Sequence, residues 1–229
     1  MARIILINVY YSPESFGGAT IVCEQTALCL RREGWDVLVI TANRLCPQYK
    51  KYRYCVDGID VVSVGLPENQ SYVESYRNEN FSQAVSDEID LFRPDIAHVH
   101  SVQNIGASVI KLLKDRHIPV VLTIHDCWWF CERQFMINSN EKFCDNHGEQ
   151  AQCVYCVRDF GESRVRRNYL KEVALSVDRI LYPSTYFKSL HKGWGFPDSR
   201  SFVNKNGVVH PAKDFKKQSG DRLTFGFVG

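Results

Sequence analysis

Pro119-Val120-Val121-Leu122-Thr123-Ile124-His125-Asp126 is the stretch on which the reading of this 229-residue chain turns. Its five residues from Val120 to Ile124 are mostly β-branched and show no polar alternation, the pattern of a parallel strand buried on both faces. It ends in a histidine and an aspartate that open into a loop. Upstream, residues 105–115 read as a helix, 95–100 as a short strand, and 81–92 as a helix closed by Pro94. Further back come strands at 59–64 and 36–41. A helix over 19–32 carries Ala19, Val22, Cys23, Thr26, Ala27 and Leu30 on one face and stops at Gly34. An apolar strand spans 3–10. Downstream, 162–177 reads as a helix, 179–183 as a short strand, and 223–228 as the start of another. Strands and helices alternate with short links. This predicts an α/β, Rossmann-like, mainly parallel sheet with helices on both faces. Ligands of such sheets lodge at the carboxyl ends of the strands, so the chemistry is expected just after them.

The composition excludes more than it selects. A formal net charge of +2 offers no electrostatic handle for nucleic acid. The apolar run at residues 4–7 is too short for a signal peptide and is followed directly by the turn residues Ser12-Pro13; no run approaches the ~20 residues that span a bilayer. A cytoplasmic protein is expected. Nine cysteines, an odd number, argue against a simple disulfide framework.

Four groups of residues carry chemistry. Gly17-Gly18, between the first strand and its helix, would let backbone approach an anion at the helix N-terminus. They lack the spacing of a dinucleotide fingerprint, and a plain turn is the alternative. His98, His100 and His125 lie at or near the carboxyl ends of two strands, where an imidazole can donate to a phosphate or a sugar hydroxyl. His125 is the stronger candidate because Asp126 and a loop follow it. Cys131, Cys144, Cys153 and Cys156 form C-x12-C-x8-C-x2-C, with Cys127 just upstream, a set that could supply a structural zinc. Free thiols and an iron–sulfur cluster stay open. A helix with Arg158, Arg164, Arg166, Arg167 and Lys171 is expected to be a solvated face rather than a contact for anionic lipid. Trp128-Trp129-Phe130 and Gly193-Trp194-Gly195 could stack on sugar or pack in the core.

In order along the chain, these motifs resemble the amino-terminal domain of family-4 glycosyltransferases. The matching pieces are Ser12-Pro13 with Gly17-Gly18-Ala19; Arg32-Glu33-Gly34-Trp35-Asp36-Val37; Arg93-Pro94-Asp95-Ile96-Ala97-His98-Val99-His100; residues 119–126; Asp178-Arg179-Ile180 with Pro183-Ser184; Asn206-Gly207-Val208; and Phe225-Gly226-Phe227-Val228-Gly229. The cysteine-rich insert at 127–157 resembles the subset that builds bacterial surface polysaccharides. The resemblance implies the acceptor-side half of a GT-B fold over 1–222, with a donor-binding half starting at 223–229. It implies transfer from a nucleotide sugar to a glycan or lipid-linked acceptor with retention of configuration. Gly17 and Gly18 would sit by the donor diphosphate, His125 and Asp126 would be catalytic, and His100, Ser101 and Trp128 would hold sugar. No cofactor is required for catalysis, peripheral contact with the inner membrane surface is compatible, and the chain alone is expected to be inactive. The rival readings are a nucleotide-sugar 2-epimerase, which needs carboxylates such as Asp95 and Asp126 beside the sugar, and a non-catalytic zinc-stapled module that binds a glycan or a partner.

Overall fold

A computed structural model describes residues 1–144 and 150–207, with no side-chain description for 150–152. Among these residues eight strands form one sheet in the order β3-β4-β2-β1-β5-β6-β7-β8. They are β1 (Arg3–Ile7), β2 (Asp36–Gln48), β3 (Lys51–Val56), β4 (Ile59–Gly65), β5 (Ile96–Val99), β6 (Val120–Thr123), β7 (Arg179–Tyr182) and β8 (Ser201–Val203). Every pairing is parallel except β3 with β4. The helices are α1 (Gly17–Arg32), α2 (Glu79–Phe92), α3 (Ser108–Asp115), α4 (Phe160–Ser176) and α5 (Thr185–Gly193).

The alternation of strand side chains builds two apolar layers. Ile4 and Leu6 of β1 pack with Val37, Val39, Ile59 and Val61 under Cys23 and Ala27 of α1. Ile5 and Ile7 face the opposite way, into a larger layer covered by Phe81, Val85 and Ile89 of α2, Val109, Ile110 and Leu113 of α3, and Leu170, Val173 and Ala174 of α4. The register aligns Ile5 with Leu38 and with Ala97, so the central strands bury both faces. This is why their sequences carry no polar alternation.

The predicted α/β architecture is the observed one, with differences at the margins. β2 runs on to Gln48 and turns into the antiparallel strand β3, which the sequence reading lacks, as it lacks α5 and β8. β3 is an edge strand of mostly exposed residues. It is held from outside the sheet by the buried Glu88 of α2, which takes Lys51 at 2.9 Å and Arg53 as well. The expectation of a solvated basic face on α4 fails at two positions. Arg166 and Arg167 are 2% and 5% exposed. Arg166 donates to the Trp128 carbonyl at 2.6 Å and Arg167 to the Phe130 carbonyl at 3.1 Å. Trp128, Trp129, Phe130 and Trp194 are core residues, not free stacking platforms. Among the described residues no helix is long and apolar enough to cross a membrane. The expected strand at 223–228, and with it the proposed boundary at residue 223, lies outside the described residues.

Candidate functional site

The order of the sheet dictates where a ligand can lodge. From β1 the chain moves outward through β2 to β4, then returns to the other side of β1 to lay down β5. The connections after β1 and β5 leave in opposite directions, and a crevice opens between them at the carboxyl edge. Asn8 fixes its floor. This side chain is fully buried; its Oδ1 accepts from the Ser101 N–H at 2.9 Å, and its Nδ2 donates to the Tyr10 carbonyl at 2.7 Å and to Thr20 Oγ1 at 3.2 Å. One amide thereby ties the loop after β1, the first turn of α1 and the loop after β5. The sequence reading missed Asn8. A buried polar residue that ends the apolar run Ile4–Ile7 is the signal that could have found it.

Gly17 and Gly18 open α1 on the rim of this crevice, both exposed. α2, α4 and α5 each begin with a side chain, from Asn78, Asp159 and Ser184, accepting a first-turn N–H. α1 has no such cap, since Phe16 precedes it. Its first-turn N–H groups and positive dipole end face outward, the arrangement that suits an anion. Gly17 has a φ of +78°, and a Cβ on either glycine would meet nothing within 4 Å.

Across the crevice stand three histidines. His98 and His100 project from the same side of β5 and its extension, and His125 follows β6. His98 Nε2 lies 2.7 Å from Thr123 Oγ1, and His100 Nδ1 lies 3.0 Å from His125 Nε2. His100 is 1% exposed; His125 is half-buried. Burial holds His98 and His125 down to a pKa of about 4, and pushes His100 well below the ordinary histidine value, with the two neighbouring imidazoles adding to the effect on His100. All three are neutral at neutral pH. The 3.0 Å contact then holds a single proton. If His125 donated it, His100 would carry its own proton on Nε2, a buried atom with no partner among the described residues. A stranded buried N–H is the rarer and costlier state. The network therefore assigns the shared proton to His100 Nδ1, leaving His125 protonated on Nδ1 as a neutral donor.

Asp126 is committed elsewhere. Oδ1 accepts from the Trp128 N–H at 2.8 Å and Oδ2 from Gln134 at 2.6 Å. Burial raises its pKa, opposed by these bonds and by Arg166. It shapes the loop that presents His125. Trp128 carries the Arg166 guanidinium 4.8 Å from its ring centroid and meets Trp129 edge-on, so its ring belongs to the core. Asp95 lies at the opposite edge of the sheet, where Oδ2 accepts from the Arg3 N–H at 2.7 Å. Two adjoining hollows of about 230 and 260 Å³ run along the carboxyl edge on the β2 side; Glu14, Ala42 and Asn43 line both. His125 lines neither. Of the residues singled out in the sequence, the structure brings His100 and His125 into contact and ties Ser101 to Asn8, while Asp126 and Trp128 make their contacts within the loop after β6 and with α4.

The described residues hold no group of three or more His, Cys, Asp or Glu side chains gathered to hold a metal ion. Cys131, Cys144, Cys153 and Cys156 nevertheless line one small cavity beneath the loop after β6.

Comparison with known proteins places this geometry. The fold is similar to that of sucrose-phosphate synthase from Thermosynechococcus elongatus, at a TM-score of 0.61 and 16% identity over 91% of this chain and 49% of that one. It is similar to the catalytic domain of Arabidopsis thaliana starch synthase IV bound to ADP and acarbose, at 0.54 and 16% over 90% and 52%. It is also similar to Anabaena Alr3699/HepE in complex with UDP and glucose, at 0.51 and 13% over 91% and 45%. The chain spans about half the length of these structures. A comparison with curated proteins finds no match. The family model described as Glycosyltransferase Family 4 matches residues 16–210, most of the chain and all of the crevice except the loop that follows β1, and the chain belongs to that family.

Proposed function

We propose that this chain forms the acceptor-side half of a glycosyltransferase that moves a sugar from a nucleotide-sugar donor to a glycan or lipid-linked acceptor. The observation that carries the reading is the crevice between β1 and β5, with the uncapped N-terminus of α1 on one rim and the neutral donor His125 on the other. In this reading the first-turn N–H groups at Gly17 and Gly18 meet the donor diphosphate. His125 Nδ1–H donates to an oxygen of the transferred sugar, and the hollows on the β2 side receive the acceptor. His125 acts through a hydrogen bond that strengthens as charge develops, not by giving up its proton, since its conjugate acid is too strong to persist near neutrality. Asp126 is a positioning residue. Donor nucleotide and sugar would be selected largely by a second domain, as the half-length match to the solved structures suggests, and the chain alone is expected to turn over poorly. Transfer with retention of configuration, work in the cytoplasm and peripheral membrane contact belong to the same reading.

The epimerase alternative loses support because its carboxylates are engaged: Asp95 at the far edge of the sheet and Asp126 within its own loop. The test is release of free nucleotide from a panel of nucleotide sugars by the longest natural form of the protein, beside its His125→Ala variant. Turnover of one donor that falls ~10²-fold or more in the variant is the expected result. No donor consumed, with glycan binding that survives His125→Ala, would replace the transferase by a binding module. Anomeric analysis of the product by NMR reads the stereochemistry.

A further inference from the structure

Three separate turns converge behind the site. Cys131 ends a turn in which its N–H reaches the Cys127 carbonyl at 2.7 Å. Cys144 follows the bridge between Ile137 and Phe143, and its N–H reaches the Met136 carbonyl at 2.6 Å. Cys153 and Cys156 belong to one tight turn, closed by the Cys156 N–H on the Cys153 carbonyl at 2.9 Å. The four thiols line a cavity of about 30 Å³, which leaves room for a single small ion or a water. None of the nine cysteines is disulfide-bonded.

The second observation is Arg167, which lines the same cavity. Its side chain is buried, its Nε donates to the Phe130 carbonyl at 3.1 Å, and its Nη1 has no hydrogen-bond partner among the described residues. It is in no ion pair among the described residues. A buried guanidinium without an anion is costly, and a protein that keeps one is expected to supply negative charge nearby. Four neutral thiols do not. Four thiolates on a divalent ion do: the ion displaces four protons to solvent, and the centre carries a net charge of −2.

We infer that Cys131, Cys144, Cys153 and Cys156 bind one zinc ion as a tetrahedral thiolate centre, with the Arg167 guanidinium as its buried counter-charge and N–H donor to sulfur. The side chains are not yet gathered at coordination geometry, so the three turns close by a small movement when the ion enters. Four thiolates leave no open position, so the centre is structural. Through Arg167 on the Phe130 carbonyl and its neighbour Arg166 on the Trp128 carbonyl, it steadies the loop that begins at His125 and Asp126.

The test uses the whole chain produced with zinc in the medium. Elemental analysis is expected to find one zinc per chain, and X-ray absorption four sulfurs at about 2.3 Å. Chelation should expose four additional thiols to a titrating reagent. Cys144→Ser and Cys156→Ser should lose at least nine-tenths of the metal, whereas Cys29→Ser and Cys55→Ser keep it. Loss of a ligand in the first pair also threatens folding, so Arg167→Met is the sharper variant: it should weaken zinc binding 10–100-fold, the range for a lost outer-shell partner, with Arg167→Lys recovering part of it. Zinc below a tenth of an equivalent with the thiols freely reactive, disulfides among the four, or iron with visible charge-transfer bands would each overturn the inference.

Discussion

The two edges of the sheet treat their polar groups in opposite ways. At the amino edge, carboxylates close the structure. Asp95 accepts from the Arg3 N–H, and Asp178 accepts from both the Val120 N–H and Lys114 at 2.7 Å. At the carboxyl edge, capacity is left unused: α1 starts without a side-chain cap, His100 Nε2 and Gln103 Nε2 are buried without partners among the described residues, and His125 shows a face to solvent. Satisfied groups stabilise a fold; groups held ready at a cost are the ones that a ligand can complete. Residues conspicuous in one stretch of sequence, such as Asp95 and His100, therefore belong to different tasks.

The largest expected effect tests the carboxyl edge. His125→Ala should cost ~10²-fold or more in turnover, while the loss of one hydrogen bond to His100 costs about 1 kcal/mol of stability, a drop in Tm of roughly 2–4 °C. Asp178→Ala should do the reverse. It strands the N–H of the fully buried Val120, so about 1–2 kcal/mol of stability is lost; donor affinity measured on the folded protein should not change. If Asp178→Ala struck turnover and left Tm alone, the division between the edges would be wrong.

Acid should separate the edges in a titration. The histidines have folded pKa values below their unfolded value near 6.5, with His98 and His125 at about 4. Between those limits the unfolded chain binds more protons, so stability falls as pH drops from about 6.5 to about 4, where the contribution of His98 and His125 levels off. Asp178 acts in the same direction over a lower pH range. Burial works to raise its pKa, but Lys114 and the Val120 N–H outweigh it and hold it below the usual carboxylate value. Its contribution is present above about pH 4 and disappears as pH falls through the folded pKa. Denaturation midpoints measured across pH should show the first loss flattened in His98→Asn and the second in Asp178→Asn. The turnover profile should lack an inflection near pH 6.5 from His125.

The central strands were legible because burial on both faces leaves an unmistakable sequence, as in Ile4–Ile7 and Val120–Ile124. β3 was not, because Lys51, Tyr52 and Arg53 face solvent and Glu88, which takes Lys51 and Arg53, lies 37 and 35 residues from them along the chain. The meeting of His100 and His125 was legible from position alone, as imidazoles at the ends of two strands. The burial of Arg166 and Arg167 was not, because each depends on a backbone carbonyl 38 or 37 residues earlier, which no local period encodes. Charge in a helix reads as surface until its distant partner is known.

The smallest stability effect is the most telling for the rim of the crevice. Gly17 has a structural reason to be glycine: at a φ of +78° any L side chain is strained. Gly18 has none. Its φ is not in the left-handed region, and a Cβ there would meet only open space. Inside the first turn of a helix, alanine is even the better residue by up to about 1 kcal/mol. Gly17→Ala should therefore lower stability by about 1 kcal/mol, whereas Gly18→Ala should leave Tm unchanged or slightly raised. If Gly18 is there so that a diphosphate can approach the backbone, Gly18→Ala will weaken nucleotide-sugar binding without touching the fold. Calorimetric titration beside thermal unfolding reads both quantities on one sample. Unaltered affinity in a stabilised Gly18→Ala protein would move the anion away from α1 and leave the histidine rim as the only chemical wall of the crevice.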